Sequence, residues 1–192
     1  MRERTAATEQ SRTYVCPVGC AGLLTGRVRR LINHPKWILR PLVTAGDTVV
    51  DLGCGPGFFT LALAELVGDK GRVIAVDVQE GMLDMLRTKA EAAGLSSRIE
   101  LRLITPDAPL VTDPADFVLA FWVLHEAPDK QGFLQNAHDL LRPGGRLLLV
   151  EPVGHVSKAG FVAALATAQD VGFSLLARPR VGFSRAALLR RP

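Results

Sequence analysis

Cysteine is scarce in this chain. Only Cys16, Cys20 and Cys54 are present, and a small, odd number without a secretory leader argues against a disulfide framework. Cys16 and Cys20 are separated by three residues in "CPVGC". Tetrahedral zinc would want two further ligands at suitable spacing, and His34 and His125 are distant single histidines, so no metal site is expected. Free thiols facing a pocket, or plain packing, account for the pair. No apolar run reaches the length of a membrane span. The opening residues, MRERTAATEQSRTYV, are polar and mixed in charge. They lack the apolar middle of an export signal, which makes the cytoplasm the expected location, with no membrane partner. A strong excess of one charge is also missing: the net charge is +4 and the pI near 9.3. Basic residues gather at Arg27, Arg29, Arg30, Lys36 and Arg40 and again between Arg178 and Arg191. A nucleic-acid surface would carry a denser patch, so solvated helix faces are the plainer reading. No internal repeat or low-complexity stretch occurs.

What the chain does have is a core. With 192 residues, 48% hydrophobic and 22% charged, it has the size and composition of one globular domain that needs no covalent staples. Residues 1–13 read as an arm, and 21–42 as two short helices, the second entered through Pro35. Beyond a "TAGD" turn, strand-length apolar runs alternate with helical periodicity. "TVVDL" (48–52) suits a buried parallel strand. Residues 58–67 have helical spacing and end at Gly68, "RVIAVD" (72–77) is a second strand, and 80–93 is a helix with Gly94 at its C-cap. "RIELRLI" (98–104), "DFVLAFW" (116–122) and "RLLLVE" (146–151) supply three more strands. Between the last two lies a helix over 129–141 closed by "RPGG". Ser157 caps a helix running to Val171, and "FSLLARP" and "GFSRAALL" make a final pair. Alternation of this kind predicts a parallel sheet with helices on both faces, a Rossmann-like three-layer α/β/α sandwich. The last two strands are joined by too short a link for a crossover, so they pair antiparallel.

The most informative stretch is "VVDLGCGPGFF" (49–59), where a strand runs into Gly53, Gly55 and Gly57. Glycines after a strand permit tight angles and close backbone approach to a ligand at the carboxyl end of a sheet. A nicotinamide dinucleotide would want a small residue where Phe58 stands, and a backbone N–H where Pro56 has none. A P-loop would need Lys followed by Ser or Thr, and Phe58-Phe59 cannot serve. A ligand without phosphates suits this loop better, although a purely structural glycine turn would use the same residues. Asp77, twenty residues beyond Gly57 at a strand end, can accept both hydroxyls of a ribose. Its plainer role would be a strand-end cap. Together the two features describe a nucleoside site without a diphosphate.

The segments "VVDLGCGPGFFTLALAE", "VIAVDVQEGML" and "LLRPGGRLLLVEP" resemble the motifs of class I S-adenosylmethionine-dependent methyltransferases, most of all the compact ubiquinone/menaquinone-biosynthesis group. The resemblance covers residues 35 to about 190. It implies a seven-stranded sheet whose last strand is antiparallel, and S-adenosyl-L-methionine as cofactor. Carried over residue by residue, it implies that Asp51, Gly53, Cys54 and Gly55 surround the methionine part of the cofactor and that Gly57 completes the turn. Asp77 would hold the ribose, Val78 and Met82 the adenine face, and Asp107 the adenine amino group, although "ITPDAPL" departs from the usual "GDA" form. Phe121 matches the position whose backbone meets the cofactor's amino group. The implied organisation is an arm and helices over 1–42 covering the substrate side, and a methyltransferase domain over 43–192.

Methyl transfer needs alignment of the nucleophile and exclusion of water, and a neutral acceptor also needs a proton removed. Trp122, His125, Glu126, Glu151 and His155 are expected to converge beyond strands four and five. His125 is the candidate base, with Glu126 beside it. The plainer roles are a loop histidine making one hydrogen bond, solvated strand-end carboxylates, and a core tryptophan. The expected partner is a small-molecule acceptor, and the assembly a monomer or homodimer. The alternatives are an RNA or protein methyltransferase, a module that binds the cofactor without catalysis, and a nicotinamide oxidoreductase, which Phe58 disfavours. "FWVL" (121–124) is not the Asn/Asp-Pro-Pro-Tyr/Phe-type motif of base-amino methylation.

Overall fold

The computed structural model describes residues 33–105 and 114–192. The arm, the first expected helix, Cys16, Cys20 and Asp107 lie outside these residues. In chain order the elements are α1 (Pro35–Leu39), β1 (Thr48–Leu52), α2 (Thr60–Val67), β2 (Arg72–Asp77), α3 (Glu80–Ala92), β3 (Ile99–Leu103), β4 (Ala115–Phe121), α4 (Lys130–Leu140), β5 (Leu141–Pro152), α5 (Lys158–Asp170), β6 (Ser174–Ala177) and β7 (Ser184–Arg190). Single 3₁₀ turns at Ser96–Arg98 and Leu124–Glu126 precede β3 and follow β4.

The seven strands form one sheet in the order β3-β2-β1-β4-β5-β7-β6. β1 pairs in parallel with β2 and β4, β2 with β3, and β4 with β5, while β7 runs antiparallel to both β5 and β6. The apolar runs make this sheet because both its faces are covered. Along β1, β2, β4 and β5, one set of alternate residues (Val50, Leu52, Ile74, Val76, Val118, Ala120, Leu147, Leu149) packs with α4 and α5. The other set (Val49, Val73, Phe117, Leu119, Phe121, Leu148, Val150) packs with α1 and α2. Period-two alternation thus becomes two hydrophobic layers. Each fully buried leucine or phenylalanine contributes on the order of 1.5–3 kcal/mol over its exposed state.

The winding sets the position of the site. From β1 the chain moves outward through β2 to β3, then crosses back to lay β4 on the other side of β1. The direction reverses between β1 and β4, and a crevice opens at their carboxyl ends, where open α/β sheets bind ligands.

Two elements differ from expectation. The first helix after the glycines begins at Thr60 rather than Phe58, because Gly57 donates to the Cys54 carbonyl at 3.1 Å in a turn. The strand expected from Arg146 begins at Leu141. "RPGG" does not end the sheet pairing but forms a bulge in it: Ala115 opposes Leu141 and Phe117 opposes Arg146. Two bonds hold the bulge against the last strand's end, Gly144 N–H to the Arg191 carbonyl at 2.8 Å and Arg191 N–H to the Gly145 carbonyl at 2.9 Å. Ser157 is the N-cap read from the sequence, and Asp129, read there as the first residue of its helix, is a second. Asp129 accepts from Gly132 N–H at 2.9 Å and Ser157 from Gly160 N–H at 3.0 Å, the short polar N-caps that satisfy first-turn donors.

Candidate functional site

β1 delivers the chain into the glycine loop at the centre of the sheet. Gly53 and Cys54 both donate to the Val76 carbonyl, at 2.8 and 2.9 Å, so the loop is tied to the end of β2. Gly53 has a φ of +71°, and a Cβ there would stand 2.5 Å from Cγ2 of Val123. Only glycine fits both the left-handed backbone and the crossing with the chain leaving β4. The ε-ammonium of Lys89, from α3, donates to the Pro56 carbonyl at 2.8 Å. Burial lowers the pKa of that lysine.

Asp77 closes the other side. It is buried, and its two oxygens accept from Gly55 N–H at 2.8 Å and Gln79 N–H at 2.9 Å. Burial pushes its pKa up, against the amides of Gln79, Gly55 and Val78, which favour the charged form. A carboxylate offers about four acceptor positions, so lone pairs remain on both oxygens for hydroxyl donors. Asp51, also buried, accepts from the Thr60 hydroxyl at 2.6 Å. The Cys54 thiol is held well above its ordinary pKa by burial, then by the charges of Asp51 and Asp77. It is therefore a small protonated wall residue and not a nucleophile.

These groups line a cleft of about 800 Å³. Asp51, Gly53, Cys54, Gly55, Asp77, Val78, Met82, Phe121 and Glu126 all face it. Gly57 does not; it sits beneath, where a Cβ would meet Leu86 at 2.4 Å, and so permits α3 to pack on the loop. Phe58 and Phe59 form another wall. Phe59 leans on Phe121 with ring centres 4.1 Å apart. Loop backbone, a buried carboxylate with spare lone pairs and an apolar wall of Val78, Met82 and Ile104 fit a nucleoside bearing a non-phosphate tail.

Several wall residues were not singled out from sequence. Gln79, Ile104 and Thr105 come from the ends of β2 and β3, and Gly132, Phe133 and Asn136 from α4. The α4 residues share one helix face at i, i+1 and i+4, a pattern readable once the helix is placed against the cleft. The sequence leaves Trp122 either among the residues converging on this site or as a core tryptophan. It lines the cleft with a φ of +62°, alone among non-glycine described residues. A bulky side chain in that region is strained by on the order of 1–3 kcal/mol. Its backbone N–H bonds the Val150 carbonyl at 2.8 Å, and its indole N–H donates to the Ser184 hydroxyl of β7 at 3.0 Å.

His125 stands elsewhere. Its ring does not line the cleft but turns to Glu151, with Nδ1 2.6 Å from Oε2, and its Nε2 lies 3.3 Å from His155 Nδ1. Burial lowers its pKa, but the bond to Glu151 and the charges of Glu151 and Glu126 outweigh that and leave it raised. The expected convergence thus divides into two parts: Trp122 and Glu126 on the cleft, and His125, Glu151 and His155 in a cluster beside it. Among the described residues no group of three metal-ligating side chains forms, and no helix is long and apolar enough to cross a membrane.

The family model described as "Methyltransferase domain" matches residues 43–172. The ubiquinone/menaquinone biosynthesis C-methyltransferase UbiE of Enterobacter sp. (strain 638) is 33% identical over 141 residues, 73% of this chain and 54% of that protein. The chain thus spans about half the length of the curated relatives it matches. Among solved structures, a SAM dependent methyltransferase from Aquifex aeolicus superposes with a TM-score of 0.79 at 22% identity, covering 93% of this chain and 100% of that one. A TehB-like SAM-dependent methyltransferase from Corynebacterium glutamicum gives 0.72 at 16% identity, covering 92% and 100%. With the glycine loop, the buried Asp77 and the antiparallel β7 in place, the chain belongs to the class I S-adenosylmethionine-dependent methyltransferases.

Proposed function

We propose that this protein binds S-adenosyl-L-methionine in the cleft and transfers its methyl group to a small-molecule acceptor, in the cytoplasm. The observation that carries the reading is Asp77, fixed by two backbone amides with lone pairs to spare, next to a glycine loop without a phosphate cradle. Asp77 would hold the ribose hydroxyls, Gly53 to Gly55 and the Phe121 backbone the methionine end, and Val78 with Met82 the adenine face. Asp107 completes that set by resemblance. When bound, the cofactor supplies an electrophilic methyl group on a sulfonium. The chain's own contribution is positional. Phe58, Phe59, Phe121 and Trp122 give the cleft an apolar wall that excludes water from the reacting centre, and Glu126 offers a carboxylate to orient the acceptor. The UbiE relatives are named as C-methyltransferases, which supports a compact organic acceptor over a nucleic acid.

Two measurements test this. Calorimetric titration is expected to give saturable binding of S-adenosylmethionine and none of nicotinamide dinucleotide; the reverse preference refutes the cofactor assignment. Cell extract incubated with protein and methyl-labelled donor is expected to yield a labelled small molecule. Label only in RNA or protein would move the acceptor to those classes, and tight cofactor binding with no label anywhere would make the chain a binding module.

A further inference from the structure

A second cluster stands at the carboxyl edge of the sheet, outside the cleft. Glu151, at the end of β5, is 1% exposed. A buried carboxylate is costly unless its lone pairs are occupied. Here Oε1 accepts from Leu124 N–H at 3.0 Å, and Oε2 meets His125 Nδ1 at 2.6 Å. An ionised carboxylate can only accept, so the proton of that bond belongs to His125 Nδ1. The lone pair of the neutral ring then lies on Nε2. That atom is 3.3 Å from His155 Nδ1, which must therefore be the donor. The remaining lone pair falls on His155 Nε2, on an exposed ring. Every bond in the chain runs one way, from His155 through His125 to Glu151.

The backbone around His155 is fixed rather than loose. His155 and Val156 both donate to the Pro152 carbonyl, at 3.1 and 2.9 Å, and Val153 N–H bonds the Phe183 carbonyl at 3.2 Å. Arg185 Nε donates to the Val156 carbonyl at 3.1 Å. The charged groups facing the cluster are Glu151 and Glu126 on the acidic side and Lys130 on the basic side, with Arg185 directly opposite Glu151 on β7.

We propose that His155 Nε2 is the proton-accepting terminus of this chain, with His125 as its relay and Glu151 as its anchor, and that it takes up the proton of an acceptor reaching out of the cleft past Glu126, the cleft-wall residue whose charge acts on His125. The use in catalysis rests on the methyl-transfer reading above; the proton chain itself does not. A proton arriving at His155 Nε2 breaks from a C–H, N–H or O–H of the acceptor and leaves its electron pair there. The His155 Nδ1 proton then passes to His125 Nε2. His155 is neutral again in its other tautomer, and the positive charge rests on His125 between Glu151 and Glu126. Loss of one proton to water restores the starting state, with no oxidant or co-reactant. His155 is then the base, and His125 and Glu151 are positioning residues that set its tautomer and hold the charge.

The test begins with tautomers, read by ¹⁵N NMR. Tag-free protein has four histidines, few enough to assign by substitution. Above about pH 8, His125 and His155 are both expected to carry the proton on Nδ1, with Nε2 bare. A proton on His155 Nε2 overturns the proposal. In Glu151→Gln the carboxamide no longer enforces the order, so His155 is expected to revert towards the Nε2–H form and His125 to titrate at lower pH; an unchanged spectrum also overturns it. In the labelling assay, His155→Gln is expected to slow turnover roughly a hundredfold with donor affinity unchanged. Equal turnover removes the catalytic role even where the tautomers are as stated. If the unaltered protein labels nothing, the methyl-transfer reading fails instead, and the NMR result stands by itself.

Discussion

At the scale of single residues, Asp77 has two duties that sequence alone presented as alternatives. It caps Gly55 and Gln79 within the fold, and it retains acceptor capacity towards the cleft. Asp77→Ala is therefore expected to lower the affinity for S-adenosylmethionine by about ten- to a hundredfold, ~1.5–3 kcal/mol of charge-assisted hydrogen bonding, and to lower the melting temperature as well. Titration calorimetry beside a thermal melt reads both. Loss of stability with unchanged affinity would leave Asp77 a structural cap only. The glycine loop and Asp77 were legible because their requirement is local: backbone angle, close approach and one carboxylate at a strand end. Trp122 was not. Its left-handed backbone is imposed by bonds to Val150 and Ser184, the second of them 62 residues away, and nothing in "FWVL" announces it. His125 was legible as a titratable group in the right region, but the direction of its ring was not, since that depends on Glu151 from the neighbouring strand.

At the scale of elements, hydrophobic period alone located the strands and most helices, and the errors lie at the boundaries. The "RPGG" segment reads as a helix stop followed by a loop, yet it is a bulge within β5. The reason is a distant arginine. Arg191 reaches back from beyond β7, and Nη1 donates to the carbonyls of His138, Asp139 and Leu141 at 3.1, 3.3 and 2.5 Å. Asp139 lies in the last turn of α4, whose carbonyls lack a partner further along the helix, the His138 carbonyl accepts from Leu141 N–H as well, and a cation there also favours the helix dipole. Arg191→Ala is expected to destabilise the protein by about 1–2 kcal/mol, seen as a lower urea midpoint with unchanged slope. No change would mean that water replaces the guanidinium at no cost. The sequence marks Arg191 only as one of many basic residues near the terminus.

For the whole molecule, pH acts through a few buried groups rather than through the modest net charge of +4. His125 has a folded pKa above its ordinary 6.5. Its contribution is thus fully present below the unfolded pKa and is lost as pH rises through the folded one. Asp77, raised from 3.8 mainly by burial, has the same sign at lower pH: the folded state binds the extra proton, and that stabilisation fades as pH rises. Thermal melts between about pH 6 and pH 8 are expected to show stability falling with pH. In Glu151→Gln the bond and charge of Glu151 are lost, and burial with Lys130 is opposed by Glu126 alone, so the slope over that interval should flatten or reverse. A slope unaltered by the substitution would show that His125 does not set it. The three-layer architecture was readable at this scale because alternating strand and helix patterns admit few windings, and the antiparallel end because its link is too short to cross over.

The indole of Trp122 hangs from a hydroxyl on β7. One rim of a recess lined by residues from Asp51 to Asn136 is therefore anchored in β7. Replacing Ser184 would therefore reach further than an outer ribbon: the strained tryptophan would lose its tether and the pocket its shape, while Ala187 and Leu189 of the same strand kept their places in the core.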